Sequence, residues 1–311
     1  MKSYWHLIMI SLLFSVNSHF SWASPGPSFC GDNPLALQIL GSGGPIADDG
    51  RAATGYLLWI HGKSRLMLDA GGGTFLRFGE AKARIEEFDL LAISHFHTDH
   101  VADLPAILKG GFFSNRHRAL ELSGPSGNFM FPDTHSFIEA LFKKDQGAFH
   151  YLSDFLEDDG SLFPLNLTTI DIKRTTPTVV FQNDEMKVSA LGVPHGIVPS
   201  LAYRVDIGDK SLIFGSDQNG SNPAFIAFAT GADVLIAHFA IPENAGRVAK
   251  RLHAIPSVIG KLASDIQPSI LILSHFMKRS LKNLNHNLSL VKKQYAGQVI
   301  LATDLQCIPL N

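Results

Sequence analysis

The chain has 311 residues, of which 26 are Lys or Arg and 28 are Asp or Glu, so its formal charge is −2. This balance argues against a protein whose main ligand is nucleic acid, because binding of phosphate backbones requires a clear basic excess. A hydrophobic fraction of 45% and a charged fraction of 17% are typical of a folded globular protein rather than a disordered one. Two cysteines are too few for a disulfide scaffold or a four-cysteine zinc site.

Residues 1–23 have the pattern of a secretory signal peptide. A basic start at Lys2 precedes an apolar run over 7–16, and Ser21 and Ala23 flank Trp22 as in a small-x-small cleavage site. The apolar run is too short to span a bilayer comfortably. We therefore expect removal of 1–23 and a mature protein of residues 24–311 that is periplasmic or secreted, with no membrane anchor.

After the expected cleavage site, short apolar strands alternate with helical segments. The first half predicts strands at 36–40, 55–60, 63–69 and 90–94, and helices at 74–80, 102–109 and 136–142. The second half predicts strands at 187–191, 201–207, 211–214, 232–237, 269–274 and 298–302, with a helix at 257–266. The stretch 116–174 is the least regular. No fixed-period repeat and no linker interrupts the chain, so we expect a single α/β domain.

The segment 94–100 follows a predicted buried strand and contains three histidines and an aspartate. Alternate side chains of an extended chain point the same way, so His95 and His97 can converge on one point. The turn through Asp99 and His100 can bring further ligands to a second point about 3.5–4 Å away, the spacing of two-metal hydrolase sites. Zinc and similar metals favour such nitrogen and oxygen ligands. With 14 histidines in the whole chain, this density indicates a metal site rather than a polar loop.

The segment reads His-x-His-x-Asp-His, and with it the chain resembles the metallo-β-lactamase superfamily. The resemblance implies an αββα sandwich with two zinc ions at one edge of two packed sheets. Taken in the family's motif order, it implies the metal ligands His95, His97, Asp99, His100, His195, Asp217 and His275, with Asp217 bridging the two ions. The last three each follow a predicted strand, where open α/β sheets place their sites.

The second half of the chain contains Leu-Ala-Tyr-Arg-Val at 201–205 and Gly-Ser-Asp at 215–217, followed by His238 and His253 ahead of His275. With these residues it resembles the ribonuclease Z branch of that superfamily. There, a histidine at the position of His253 assists protonation of the leaving group. His238 is implied beside the ligands, where its ring can support them through a hydrogen bond.

The chain departs from the tRNA-processing members of that branch at three places. It has Phe239 where they have Glu, and Ala254-Ile255 where they have Ser-Thr. Bacterial members also carry a long tRNA-binding arm where this chain has only residues 196–216. We therefore expect no stable nucleic-acid partner.

The glycine-rich runs at 40–45 and 69–73 resemble the exported metal-dependent arylsulfatases of marine bacteria, which share this scaffold. The other sulfatase class needs a Cys-x-Pro-x-Arg sequence, and neither Cys30 nor Cys307 begins one. The sequence thus predicts an exported hydrolase that cleaves sulfate esters or phosphodiesters of small anionic molecules. Two zinc ions would lower the pKa of a shared water to produce hydroxide, with Asp99 orienting the water and His253 donating a proton to the leaving oxygen.

Other readings stay open. A ribonuclease Z-like endonuclease or a cyclic-nucleotide phosphodiesterase fits the same ligand set, and sulfate and phosphate esters both suit two metal ions. A β-lactamase is disfavoured because Asp217 stands where those enzymes commonly have Cys, and a non-catalytic binding protein is disfavoured by the intact ligands. Export permits a disulfide between Cys30 and Cys307, but their positions at opposite ends of the mature chain leave open whether they meet.

Overall fold

The computed structural model describes residues 29–157 and 160–310, so the expected signal peptide lies outside the described residues. Within them the strands form two seven-stranded sheets. Strands and helices are numbered below in chain order.

The first sheet contains β1 (Leu35–Gly41), β2 (Gly55–Ile60), β3 (Lys63–Leu68), β4 (Leu90–Ala92), β5 (Leu120–Pro125), β6 (Leu165–Ile170) and β14 (Cys307–Pro309). Its order is β14-β1-β2-β3-β4-β5-β6. The pairs from β14 to β3 are antiparallel, and those from β3 to β6 are parallel.

The second sheet contains β7 (Thr178–Gln182), β8 (Lys187–His195), β9 (Val198–Ile207), β10 (Lys210–Phe214), β11 (Val234–His238), β12 (Ile270–Ser274) and β13 (Gln298–Leu301). Its order is β13-β12-β11-β10-β9-β8-β7. The pairs from β7 to β10 are antiparallel, and those from β10 to β13 are parallel.

The helices are α1 (Thr74–Glu80), α2 (Thr98–Val101), α3 (Leu104–Phe112), α4 (Thr134–Phe142), α5 (Pro223–Ala229), α6 (Arg247–Leu252), α7 (Pro256–Ile266), α8 (Lys278–Leu281) and α9 (Leu284–Lys292). Short 3-10 helices lie at Cys30–Asp32, Ile85–Glu87 and His150–Leu156. No helix within the described ranges has the length and apolar character needed to cross a membrane.

Strand β1 shows how the layers are built. All seven of its residues are buried, which requires that both faces of the sheet are covered. Leu37 and Ile39 pack into the core between the two sheets, whereas Ala36 and Leu40 pack with the helices on the outer face. The alternation follows from the two-residue period of a strand. The expected αββα sandwich is confirmed.

The sequence missed β5 and β6, which lie inside the stretch that looked irregular. Gly124 and Pro125 have the character of a turn, yet they end β5, whose six residues all pair with β6. A proline can end a strand because it need not donate a further ladder hydrogen bond there. In place of the single helix predicted over 102–109, the structure has two: α2 covers part of the ligand segment, and α3 begins at Leu104 and extends to Phe112.

The pairing of the two cysteines, which the sequence left open, is resolved by the fold. A disulfide joins Cys30 to Cys307, whose Cα atoms are 5.5 Å apart although 277 positions separate them in the chain. Cys307 begins β14, which pairs with β1. The disulfide therefore links both ends of the described chain to the edge of the first sheet.

Candidate metal centre

The polar residues singled out in the sequence gather where strands of the two sheets end. His195 is the last residue of β8, His238 is the last of β11, and His275 directly follows β12. The structure brings together all eight residues expected at the site: His95, His97, Asp99, His100, His195, Asp217, His238 and His275. Their convergence follows from the parallel strands, whose carboxyl ends share one edge of the sandwich.

A first cluster contains His95, His97, His195 and Asp217, each with one possible ligand atom within 4.8 Å of the others. His95 Nε2 lies 3.0 Å from His97 Nδ1, which lies 3.4 Å from His195 Nε2. His195 Nδ1 lies 2.7 Å from the Leu252 carbonyl oxygen and donates its proton there. This hydrogen bond leaves the lone pair of Nε2 directed at the cluster.

A second cluster lies on the other side of Asp217. His275 Nε2 is 3.1 Å from Asp99 Oδ2 and 3.4 Å from Asp217 Oδ1. His100 Nε2 is 3.6 Å from Asp99 Oδ2 and 3.7 Å from Asp217 Oδ2. The carboxylate of Asp217 therefore contacts both clusters, as a bridging ligand must.

The donor set fits metal ions. His100 Nε2 is buried and has no hydrogen-bond partner among the described residues, which is costly for a polar atom unless another group satisfies it. Two ligands on one tetrahedral zinc, each about 2.0–2.2 Å from it, are about 3.4 Å apart. The separations between Asp217 and the rings of His195 and His275, both 3.4 Å, match that value.

His238 also lies among these residues, but both of its ring nitrogens already have partners. Nδ1 is 2.7 Å from Asp217 Oδ1 and Nε2 is 3.1 Å from the Tyr56 hydroxyl. We therefore assign His238 to orienting Asp217, with Nδ1 donating to the carboxylate and Nε2 accepting from Tyr56.

Asp69 is a functional residue that the sequence analysis did not identify as such. Its buried carboxylate accepts hydrogen bonds from the Ser94 backbone N–H at 2.7 Å and hydroxyl at 2.8 Å, and His100 Nδ1 lies 2.7 Å away. It thereby selects the tautomer that directs His100 Nε2 into the second cluster. Its position directly after β3, beside a glycine run, is the signal that could have identified it.

Two glycines allow the backbone to approach the ligands closely. A Cβ on Gly44 would lie 2.8 Å from His275 Cε1, and one on Gly71 would overlap the Asp99 carbonyl oxygen. Contacts below 3 Å do not occur for real Cβ atoms without displacement of a neighbour, so any other residue would displace a ligand.

The electrostatics of the site differ from one histidine to the next. Burial lowers the pKa of His195 to about 4 and that of His238 to about 3, so both rings are neutral near pH 7. Burial alone would raise the pKa of Asp217, but the neighbouring histidine rings, His275 foremost, hold this pKa well below its usual range. Burial also disfavours the charged forms of His100 and His275, but the neighbouring carboxylates outweigh it and raise the pKa of both rings. The site therefore combines neutral and cationic imidazoles around an ionised carboxylate.

His253 lies at the wall of an open cavity of about 510 Å³ that leads to both clusters. Its Nδ1 is 3.5 Å from Asp217 Oδ1. This nitrogen has no hydrogen-bond partner among the residues that the structure describes. Asp99 lines the same cavity. Both predicted catalytic residues are thus placed where a substrate can reach them.

Comparisons with known proteins agree with this arrangement. Residues 64–276 match the family model described as the beta-lactamase superfamily domain. Ribonuclease Z of Mycobacterium sp. (strain KMS) is 25% identical over 254 residues, which cover 78% of this chain and 84% of that protein. The metallo-beta-lactamase fold protein YhfI from Bacillus subtilis superposes with a TM-score of 0.68 at 19% identity, covering 89% of this chain and 99% of YhfI. Human tRNase Z, short form, superposes with a TM-score of 0.66 at 18% identity, covering 89% of this chain and 99% of the human one. The structural likenesses establish the fold.

Proposed function

The chain belongs to the metallo-β-lactamase superfamily, and we propose that it is a metal-dependent phosphodiesterase that hydrolyses small anionic esters. The observation that carries the proposal is the position of Asp217 between two clusters of imidazole and carboxylate groups that line a cavity open to substrate. We assign His95, His97 and His195 to one ion and Asp99, His100 and His275 to the other, with zinc as the metal that suits these donors.

When bound, the ions supply positive charge to the phosphoryl oxygens and lower the pKa of water. The Asp99 carboxylate accepts a hydrogen bond from the attacking water and orients it towards phosphorus, and the proton that the water loses passes to solvent. As the new P–O bond forms and the bond to the leaving oxygen breaks, His253 donates its proton to that oxygen. Asp217 keeps its orientation through the hydrogen bond from His238.

The cavity supports a small substrate. Its volume of about 510 Å³ is in the usual range for small-molecule sites. The walls outside the ligand clusters are largely apolar, formed by Pro45, Ile46, Phe96, Leu252 and Met277. The formal charge of −2 supplies no general attraction to a polyanion.

A second candidate is cleavage of RNA, which the curated relatives favour because they are ribonucleases Z. The same relatives favour phosphorus over sulfur, so the sulfate ester that the sequence suggested is the third reaction to test. The three share the ligand clusters and differ in the ester that the cavity accepts.

The test compares hydrolysis of bis-p-nitrophenyl phosphate, p-nitrophenyl sulfate and a precursor tRNA by the zinc-loaded mature protein. The proposal expects turnover of the phosphodiester that His97→Ala abolishes. His135→Ala serves as the matched control, because this histidine is exposed and belongs to neither the clusters nor the cavity lining. Cleavage of the tRNA alone, or of the sulfate alone, would replace the proposal with that activity.

We also propose that the protein acts outside the cytoplasm. The disulfide between Cys30 and Cys307 supports this location, because such bonds persist in oxidising compartments. Expression of the full chain in a Gram-negative host with fractionation should yield periplasmic protein whose mass begins at Ser24. Retention of residues 1–23 on cytoplasmic protein would contradict the proposal.

A further inference from the structure

Arg279 lies in α8 and lines the cavity that leads to the metal ligands. Of the described residues in that lining, it alone carries a permanent positive charge. The rest of the lining consists mainly of predicted metal ligands and apolar groups. A single cation in such a cavity is a natural contact for an anionic substrate.

The side chain is held in place without being neutralised. Its Nε donates to the carbonyl oxygen of Ala240 at 3.1 Å, which anchors one edge of the guanidinium. It forms no ion pair with any carboxylate in residues 29–157 and 160–310, whereas Arg65, Arg77 and Arg118 each do. The terminal nitrogens, Nη1 and Nη2, are therefore available for a ligand with two oxygens.

The surroundings strengthen any interaction that the guanidinium makes. Arg279 is exposed as a residue, but Met277 and Ile46 line the cavity with it, and the partial burial of its guanidinium lowers its pKa. Attraction between opposite charges increases as solvent is excluded. A planar guanidinium with one edge fixed also loses little freedom when it binds two oxygens of a tetrahedral anion.

We infer that Arg279 binds a non-bridging oxygen of the substrate phosphate and thereby makes the site selective for esters that carry negative charge. The inference rests on the proposed function and deepens it by naming the group that recognises the anion. The ions that the ligand clusters hold would contact the reacting phosphoryl group, and Arg279 lines the same cavity. A fixed cation explains how a protein of net negative charge retains an anionic substrate.

The first test measures binding of inorganic phosphate to the zinc-loaded protein by calorimetry. Arg279→Met should weaken binding by about tenfold to a hundredfold, the loss expected when a charge-assisted hydrogen bond is removed. Lys278→Met is the matched control, because its neighbouring side chain is 74% exposed and lies outside the cavity lining. Zinc content and melting temperature should be equal in all three proteins, which separates anion binding from support of the fold.

The second test measures KM and kcat separately for the hydrolysis of bis-p-nitrophenyl phosphate. Arg279→Met should raise KM or lower kcat/KM by a similar factor, and Arg279→Lys should recover part of the loss because it restores a charge without the planar fork. Equal phosphate affinity in Arg279→Met and wild type would overturn the inference. A third outcome separates the two claims: the protein binds phosphate through Arg279 but does not hydrolyse the diester. That result would overturn the proposed function and leave Arg279 as the anion-binding residue.

Discussion

His238 Nδ1 donates to Asp217 Oδ1 over 2.7 Å, while its Nε2 accepts from the buried Tyr56 hydroxyl at 3.1 Å. The chain of three groups runs from the core between the sheets to the carboxylate that lies between the two ligand clusters. Because both nitrogens of His238 are engaged, the ring holds Asp217 in one orientation rather than contributing a lone pair of its own.

This relationship predicts the effect of Tyr56→Phe. The substitution keeps the ring in the core but leaves His238 Nε2 without its partner, so zinc affinity should fall by about tenfold to a hundredfold. Competition with a chromogenic chelator measures the loss. Tyr203→Phe is the control, since its buried hydroxyl donates to the Ile93 carbonyl at 3.0 Å and touches no predicted ligand. Equal zinc affinities in the two variants would contradict the role assigned to Tyr56.

Asp69→Asn should reduce the zinc content of the protein. The substitution removes the negative charge that His100 Nδ1 contacts, and an amide can present its NH₂ group to that ring, which favours the wrong tautomer. Metal analysis after dialysis measures the stoichiometry. Asp304→Asn is the control because this carboxylate accepts hydrogen bonds from Ser42 and Ala52 without touching a predicted ligand. Both variants should lose about 1–3 kcal/mol of stability, but only Asp69→Asn should lose zinc.

Gly44→Ala should impair the second cluster selectively. The new methyl group would lie 2.8 Å from His275 Cε1, so the ring must leave its present position beside Asp99 and Asp217. We expect loss of about one zinc per chain and a large fall in kcat. Gly79→Ala, where a Cβ meets nothing within 4 Å, should retain full zinc content and gain slightly in helix stability. Full zinc content and activity in Gly44→Ala would refute the close approach.

His253→Gln should slow the enzyme most for esters with poor leaving groups. A proton donor contributes about 10²–10⁴-fold when the leaving oxygen is basic, and little when the product is p-nitrophenolate. The measurement compares kcat/KM for diphenyl phosphate and bis-p-nitrophenyl phosphate at equal zinc content. His286→Gln, at an exposed position of α9, should change neither. A uniform fall on both esters would assign His253 to binding or structure instead.

Removal of metal should both stop turnover and lower the melting temperature. Binding to the native state alone stabilises it by RT ln(1 + [L]/Kd), about 2.7 kcal/mol at a hundredfold excess over Kd. Differential scanning calorimetry with EDTA and then with increasing zinc should show a melting temperature that rises with zinc concentration. His97→Ala should show a smaller rise, and a melting temperature independent of zinc in the wild-type protein would argue against the site.

Much of this protein could be predicted from local pattern. The predicted strand over 55–60 and helix over 74–80 have the observed bounds, because turn residues and apolar periodicity mark both within a few positions. The His-x-His-x-Asp-His segment likewise places four ligand candidates within six residues. His195, Asp217 and His275 could be proposed because each follows a recognisable strand, and the resemblance to a known family supplied their order.

Other features depend on residues that only folding brings together. Tyr56 and His238 are 182 positions apart in the chain, and Asp69 and His100 are 31 positions apart. Neither pair has a local sequence pattern, because hydrogen bonds between distant segments depend on sheet order and register. Strands β5 and β6 become recognisable only as neighbours in a parallel sheet, and the disulfide requires β14 at the edge of β1. The sequence by itself therefore determined the class of fold and the chemistry of the ligands. The tertiary structure alone decided which nitrogen of each histidine faces the site, which buried groups orient the ligands, and that Arg279 lines the cavity they share.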